Sequence, residues 1–264
     1  MSQKHLYKYI PFEALSCSEL QNERQSAFER GEIWYPKANE LNDPFDCSPN
    51  FKHFDFSDKG KERLLNSLAE DELNFIGISK EELLSEFKKA NISKNKISIG
   101  MGILHGIFSF HLSKLGVLSL TEKHLELLMW VHYADNAKGI CLEFECNLGD
   151  EKIRKVDYVE KRPLINFYDR HNEIENIIYT KSIKWEYEDE WRDVKKEGNK
   201  TYPFPGKLRR IFFGPACHLK TMELTKDIFG NEIKYENISL SNNYSLKGDN
   251  GLKHSISQTP IVWK

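Results

Sequence analysis

The densest group of chemistry-bearing side chains is Trp185-Glu186-Tyr187-Glu188-Asp189-Glu190-Trp191-Arg192. Read as part of a strand over 185–195, its side chains alternate between two faces. Glu186, Glu188, Glu190 and Arg192 then share one face, and Trp185, Tyr187, Asp189 and Trp191 the other. Carboxylates crowded on one face repel each other. Such crowding raises the pKa of one Glu while Arg192 keeps another ionised, as acid–base work requires. The plain alternative is a solvated strand edge with an ordinary Glu–Arg pair.

Three further groups carry weaker signals. In Asn42-Asp43-Pro44-Phe45-Asp46, Asn and Asp side chains bind nearby backbone while Pro fixes a turn; as a site, Asn42 and Asp43 offer contacts to ligand hydroxyls. In Trp130-Val131-His132-Tyr133, two aromatics three apart share a helix face, either for stacking on a ring or for core packing. Ser119 lies upstream on a short strand. Lys8, between Tyr7 and Tyr9 on a first strand, can meet a phosphate or simply be solvated.

These groups need elements to hold them. Residues 6–10 predict a strand stopped by Pro11, 12–30 a helix ended by Gly31, and 32–35 a second strand stopped by Pro36. Residues 58–114 are rich in Lys, Glu, Leu and Ser with helical spacing, and predict an inserted region of two or three helices. Strands are expected at 117–120, 140–144, 152–159 and 208–213, and helices at 123–134 and 172–184. From residue 220 the pattern predicts a helix, a polar turn-rich stretch at 241–250, and strands ending at 262–263. The order is that of an α+β fold in a single domain spanning 1–264, with 58–114 inserted in it.

Composition narrows the function. With 264 residues, 39% hydrophobic and 12% aromatic, the chain can bury a substantial core. Basic and acidic residues number 38 and 40, for a net charge of −2, so any nucleic-acid contact must be local rather than a bulk effect. The five cysteines include no C-x-x-C pair, which fits buried thiols and a reducing cytoplasm. Residues 1–9 precede no apolar run, and the stretch 97–118 is broken by Gly, His and Lys, which argues against a leader or a membrane span. The glycine patterns of dinucleotide and P-loop folds are missing, as are the metalloprotease and serine-hydrolase motifs. No metal-ligand spacing is present.

The motifs L-Y-K-Y, I-W-Y-P-K-A-N-E-L-N-D-P-F-D, G-V-L-S-L-T, L-L-M-W-V-H-Y-A-D-N-A-K-G-I-C-L-E-F and K-S-I-K-W-E-Y-E-D-E-W-R occur in that order. Together they resemble the bacterial family called domain of unknown function 2971, over about residues 6–214. The layout is also similar to the ADP-ribosyltransferase fold, which implies split mixed or antiparallel sheets and an NAD substrate clamped between them. By that resemblance Glu188-Asp189-Glu190 corresponds to an E-x-E motif, with Glu190 beside the ribose and Glu188 acting on the acceptor. Ser119 and Tyr133 correspond to the second motif. Lys8 or Tyr9 stands where the fold carries Arg or His. Trp130 or Tyr133 would stack on a ring of NAD, Asn42 and Asp43 would contact its hydroxyls, and Arg192 would hold substrate.

The resemblance implies transfer to a macromolecular acceptor, protein or nucleic acid, by a toxin or phage-defence effector with an antitoxin or other regulatory partner. Two other readings stand beside it. One is a magnesium-dependent nuclease using Asp43, Asp46, Glu188 and Glu190. The other is a non-enzymatic module in which Trp-bearing strands bind a partner.

Overall fold

The computed structural model describes residues 3–12, 19–51, 57–89, 96–149, 153–166, 168, 170–243 and 245–248. The expected strand at 262–263, residues 13–18 of the expected first helix and residue 152 lie outside them.

The elements follow the local chemistry. Strand β1 (Gln3–Ile10) ends where Pro11 removes a donor. Helix α1 (Glu19–Glu29) closes on Gly31, whose φ of +69° suits the left-handed residue of a helix C-terminus. Strand β2 (Glu32–Tyr35) and the short β3 (Asn50–Phe51) flank the Asn42–Asp46 loop. Among the described residues the predicted insertion holds four helices, one or two more than the spacing suggested: α2 (Asp58–Ser67), α3 (Glu70–Ile76), α4 (Lys80–Lys89) and α5 (Lys96–Lys114). Their separation has local causes. Ser57 caps α2 by accepting from the Gly60 N–H, and Gly77 ends α3 in the left-handed region.

Strand β4 (Gly116–Thr121) and helix α6 (Leu127–Tyr133) follow. The helix begins later than its periodicity suggested. Thr121 Oγ1 accepts from the Lys123 N–H and Glu126 caps α6, so 122–126 is a non-helical connection. After α6 the chain passes through Asp135, Asn136 and Ala137, all with positive φ, into β5 (Ile140–Asn147).

The expected strand at 152–159 is two strands, β6 (Ile153–Lys155) and β7 (Asp157–Val159). Around their junction the Val156 N–H goes to Glu190 O and the Asp157 N–H to Tyr179 O, so the two halves pair with different neighbours. Strand β8 (Leu164–Ile165), helix α7 (Arg170–Ile178) and strand β9 (Thr180–Ser182) come next, so the helix expected to reach 184 stops earlier. The remaining elements are β10 (Glu190–Lys195), β11 (Lys200–Pro203), β12 (Lys207–Phe213), α8 (Leu219–Phe229), β13 (Lys234–Leu240) and β14 (Leu246–Gly248).

Among the described residues eight strands form one mixed sheet in the order β14-β13-β12-β5-β1-β4-β10-β6. The α+β class therefore holds, and three two-stranded sheets, β11-β2, β3-β8 and β7-β9, accompany the large one among the described residues. Its weakest seam lies between β1 and β4, which meet at one register pair, Tyr7 with Thr121. By contrast β1 pairs with β5 along its whole length, from Gln3 opposite Asn147 to Ile10 opposite Ile140.

One face of the sheet, with Leu6, Leu118, Leu142 and Phe144, packs on Phe28 of α1, Ile33 and Tyr35 of β2, and α8. On the other face Val117 joins the inserted helices through Leu64, Leu83, Leu104, Ile107 and Phe108, together with Ile177 and Ile178 of α7. Tyr9, Trp130, Cys141 and Phe212 form a third cluster. The insertion thus shares a core with the sheet. No helix among the described residues is long and apolar enough to cross a membrane. The described cysteines, Cys47, Cys141, Cys146 and Cys217, are free thiols.

Candidate functional site

The acidic motif is not one strand. Residues Ile183–Glu188 form a 3-10 turn, capped by Ser182 accepting from the Lys184 N–H, and Asp189 then takes a left-handed conformation (φ 48°, ψ 51°). Only from Glu190 does the chain run as a strand. The expected alternation therefore fails, and Glu186 is exposed rather than facing Glu188. An Asp tolerates the left-handed region better than most residues. The kink still brings Glu188 and Glu190 together, because Lys181 joins them.

Five charged side chains form one buried network. Arg192, fully buried, donates all five of its N–H groups. Nε and Nη2 go to Glu190 at 2.8 and 3.0 Å, Nη1 and Nη2 to Asp46 at 3.0 and 2.6 Å, and Nη1 also to Ile178 O at 2.5 Å. Lys181 Nζ donates to Glu188 at 2.5 Å and Glu190 at 3.0 Å, and lies 3.9 Å from Asp46. Glu190 also accepts from Ser119, and Arg192 with Lys181 holds its carboxyl well below the usual range. Burial alone would push it the other way, so the two cations decide the outcome.

Glu188 differs. One oxygen accepts from Tyr133 Oη at 2.5 Å and the other from Lys181, leaving lone pairs on both without a described donor. Burial raises its pKa, and Glu190 adds repulsion that Lys181 and Tyr133 offset only in part. Asn42 Nδ2 donates to Tyr133 Oη at 3.3 Å, fixing that hydroxyl as a donor toward Glu188. Tyr158 Oη accepts from the Glu190 N–H at 2.8 Å, and Thr121 Oγ1 donates to Glu188 O.

Lys8 adds a third cation. It lies on β1 one residue past the Tyr7–Thr121 seam, and its ammonium makes no hydrogen bond or ion pair with another described residue. Burial pulls its pKa down to about 8, against the fields of Glu190 and Glu188. The register, Lys8 opposite Leu142, puts it on the Leu6 face of the sheet rather than the Arg192 face, and Arg24 and Lys181 add positive fields to those of the two carboxylates.

The structure sorts the sequence candidates. Glu188, Glu190, Arg192, Ser119, Tyr133 and Asn42 meet at one place, with Lys8 in electrostatic reach. Asp43 is buried in the neighbouring turn, its Oδ1 accepting from the Phe45 N–H at 2.9 Å. Trp130 and Tyr9 are packed elsewhere. Trp130 is fully buried, edge-on to Tyr9 with centroids 5.0 Å apart, and its Nε1 donates to His124 O. Tyr9 Oη donates to Lys123 O. Both rings are therefore surrounded by core rather than presented for stacking.

Sequence reading did not single out Lys181, although it begins the K-S-I-K-W-E-Y segment, and it took Asp46 only as a metal ligand. Among the described residues no cluster of three or more His, Cys, Asp or Glu side chains has metal-holding geometry. Arg192 and Lys181 occupy the centre of the carboxylates where a cation would otherwise sit.

Residues 129–192 match the family model described as Protein of unknown function (DUF2971). The matched segment begins within α6 and ends at Arg192, so it carries Tyr133, Lys181, Glu188, Glu190 and Arg192. Asn42, Asp46 and Ser119, which complete the network, lie outside it. No curated protein and no solved structure matches the chain.

Proposed function

We propose that the chain is an NAD-dependent ADP-ribosyltransferase-like enzyme that cleaves the nicotinamide–ribose bond and transfers ADP-ribose to a macromolecular acceptor. One observation carries the reading: Glu188 is buried by the β1–β4 seam, touches Tyr133 and Lys181 at 2.5 Å, and keeps lone pairs with no donor among the described residues.

The roles follow from that geometry. Nicotinamide leaves with the bonding electron pair, and positive charge develops on the ribose. An ionised Glu188 stabilises that charge more than it stabilises the ground state. Attack by an acceptor O–H or N–H forms the new bond at the ribose carbon, and the proton released passes to Glu188, whose raised pKa suits it as a base. Glu190 is fully engaged by Arg192, Lys181 and Ser119 and acts as a positioning residue, holding Lys181 against Glu188. This exchanges the emphasis that the E-x-E pattern suggested. Lys8 supplies positive charge for the pyrophosphate of NAD.

The reading extends to a toxin or phage-defence effector acting in the cytoplasm under a regulatory partner. The test is to incubate the full chain with NAD labelled in its ADP-ribose part and with protein, RNA and DNA acceptors. Nicotinamide release and a labelled acceptor are expected. Glu188→Gln should lower the rate ~10²–10⁴-fold, the usual weight of a general acid–base group. Absence of both nicotinamide release and label in the wild type overturns the proposal.

A further inference from the structure

A cleft of about 560 Å³ lies away from the Glu188 network. Its walls include Asp193 and Lys195 of β10, Tyr202 and Phe204, and Lys207 and Arg209 of β12. None of the residues of the buried network lines it. Asp193 neighbours Arg192 in sequence, but successive strand residues point to opposite faces, so one strand serves two separate places.

The cleft is built from polar groups that are already held. Asp193 is 2% exposed and accepts from Tyr35 Oη at 2.8 Å. Lys195 Nζ donates to both Asp193 oxygens, at 3.0 and 2.9 Å. An ammonium has three donors, so one hydrogen of Lys195 is left for a ligand among the described contacts. Arg209 is paired with Glu145. Lys207 makes no ion pair with another described residue, so the wall carries an uncompensated positive charge. Beside it the run Tyr202-Pro203-Phe204-Pro205 is stiffened by two fixed proline φ angles; its two rings line the cleft and are braced from the core, Tyr202 by Tyr35 and Phe204 by Phe28, Phe144 and Phe229.

We propose that this cleft binds a small molecule made of a planar ring and one anionic group, of the class of a nucleoside monophosphate. The volume is within the ~300–1,000 Å³ usual for small-ligand sites. Lys195 and Lys207 meet the anion, and Tyr202 with Phe204 meets the ring, as bases commonly meet aromatic walls. The proposal does not depend on the chemistry assigned to Glu188.

The experiment is calorimetric titration of the full chain with adenosine 5′-monophosphate, with adenosine and inorganic phosphate in parallel. Binding of the monophosphate is expected, at least ten-fold tighter than either fragment. Lys207→Glu should weaken it at least ten-fold, and Lys207→Gln should weaken it less. Both replace an exposed side chain with no ion pair among the described residues, and unchanged circular-dichroism melts check their folding. Glu188→Gln should leave this binding unchanged, which separates the cleft from the buried network. Two results overturn the proposal: no monophosphate binding by the wild type, or binding insensitive to Lys207→Glu.

Discussion

At the scale of single residues, the centre of the molecule is an arginine whose five donors are all satisfied. Removing one partner of such a pair leaves the others buried and charged. Arg192→Leu strands Glu190 and Asp46 without their main counter-charge. A loss of ~3–5 kcal/mol in unfolding free energy is expected, measured by denaturant titration; a loss under ~1 kcal/mol would show the network to be solvated and weak. The same pairs set a pH dependence. Glu190 is held at about 2, below its ordinary 4.5, so its contribution is intact above the unfolded value and is lost as pH falls from 4.5 toward 2. Glu188 acts in the opposite sense: its pKa is raised, so its contribution is complete at low pH and lost as pH rises through its folded value. Melting temperature should fall through the 4.5-to-2 window; a flat profile there contradicts the assignment.

At the scale of elements, the site depends on two irregular connections. One is the 3-10 turn Ile183–Glu188 with left-handed Asp189, which aims Glu188 at Lys181 while β10 aims Glu190 at Arg192. Lys155 pairs with Asp189 at 2.6 Å and anchors the kink. The other is the run of three positive-φ residues after α6, which places Tyr133. Its conformation is enforced by the Ala137 N–H bonding to Trp130 O and the Gly139 N–H to Ala134 O. Gly139 is needed there for room, since an added Cβ would lie 2.1 Å from Ile10 O, a backbone atom that cannot rotate away. Gly139→Ala should therefore cost ~1–3 kcal/mol, read as a lowered melting temperature with the fold retained. An unchanged melt would mean that β1 and β5 can separate locally without cost.

At the scale of the whole molecule, the helical insertion and the sheet share one core. Phe108 of α5 is 1% exposed, in the same cluster as Val117 of β4 and Ile178 of α7. The Ile178 carbonyl is also an Arg192 acceptor, so packing of the insertion reaches the charged network. Phe108→Ala should destabilise by ~3–5 kcal/mol in one cooperative transition that also removes the near-ultraviolet signal of the body. Two separate transitions, with only the insertion melting early, would show the insertion to be an independent unit.

Much of this was legible along the chain. Pro11, Gly31 and Pro36 punctuate the early elements, and the Gly214-Pro215 stop after 208–213 and the apolar run of 140–144 mark central strands, because these signals are local. The residue types at Glu188, Glu190, Arg192, Ser119, Tyr133 and Asn42 were enough to nominate them. What the sequence could not decide was which of them touch. Strand alternation put Glu186 beside Glu188, but a left-handed residue, whose cost is repaid by distant contacts, turned the chain instead. Asp46, 146 residues from Arg192, and Lys181 entered the site only through tertiary packing. Trp130 left the candidate site for the core for the same reason. Residue chemistry and local periodicity are properties of a few neighbours, whereas burial, pairing of charges and the assignment of one carboxylate as held and another as free depend on the whole fold.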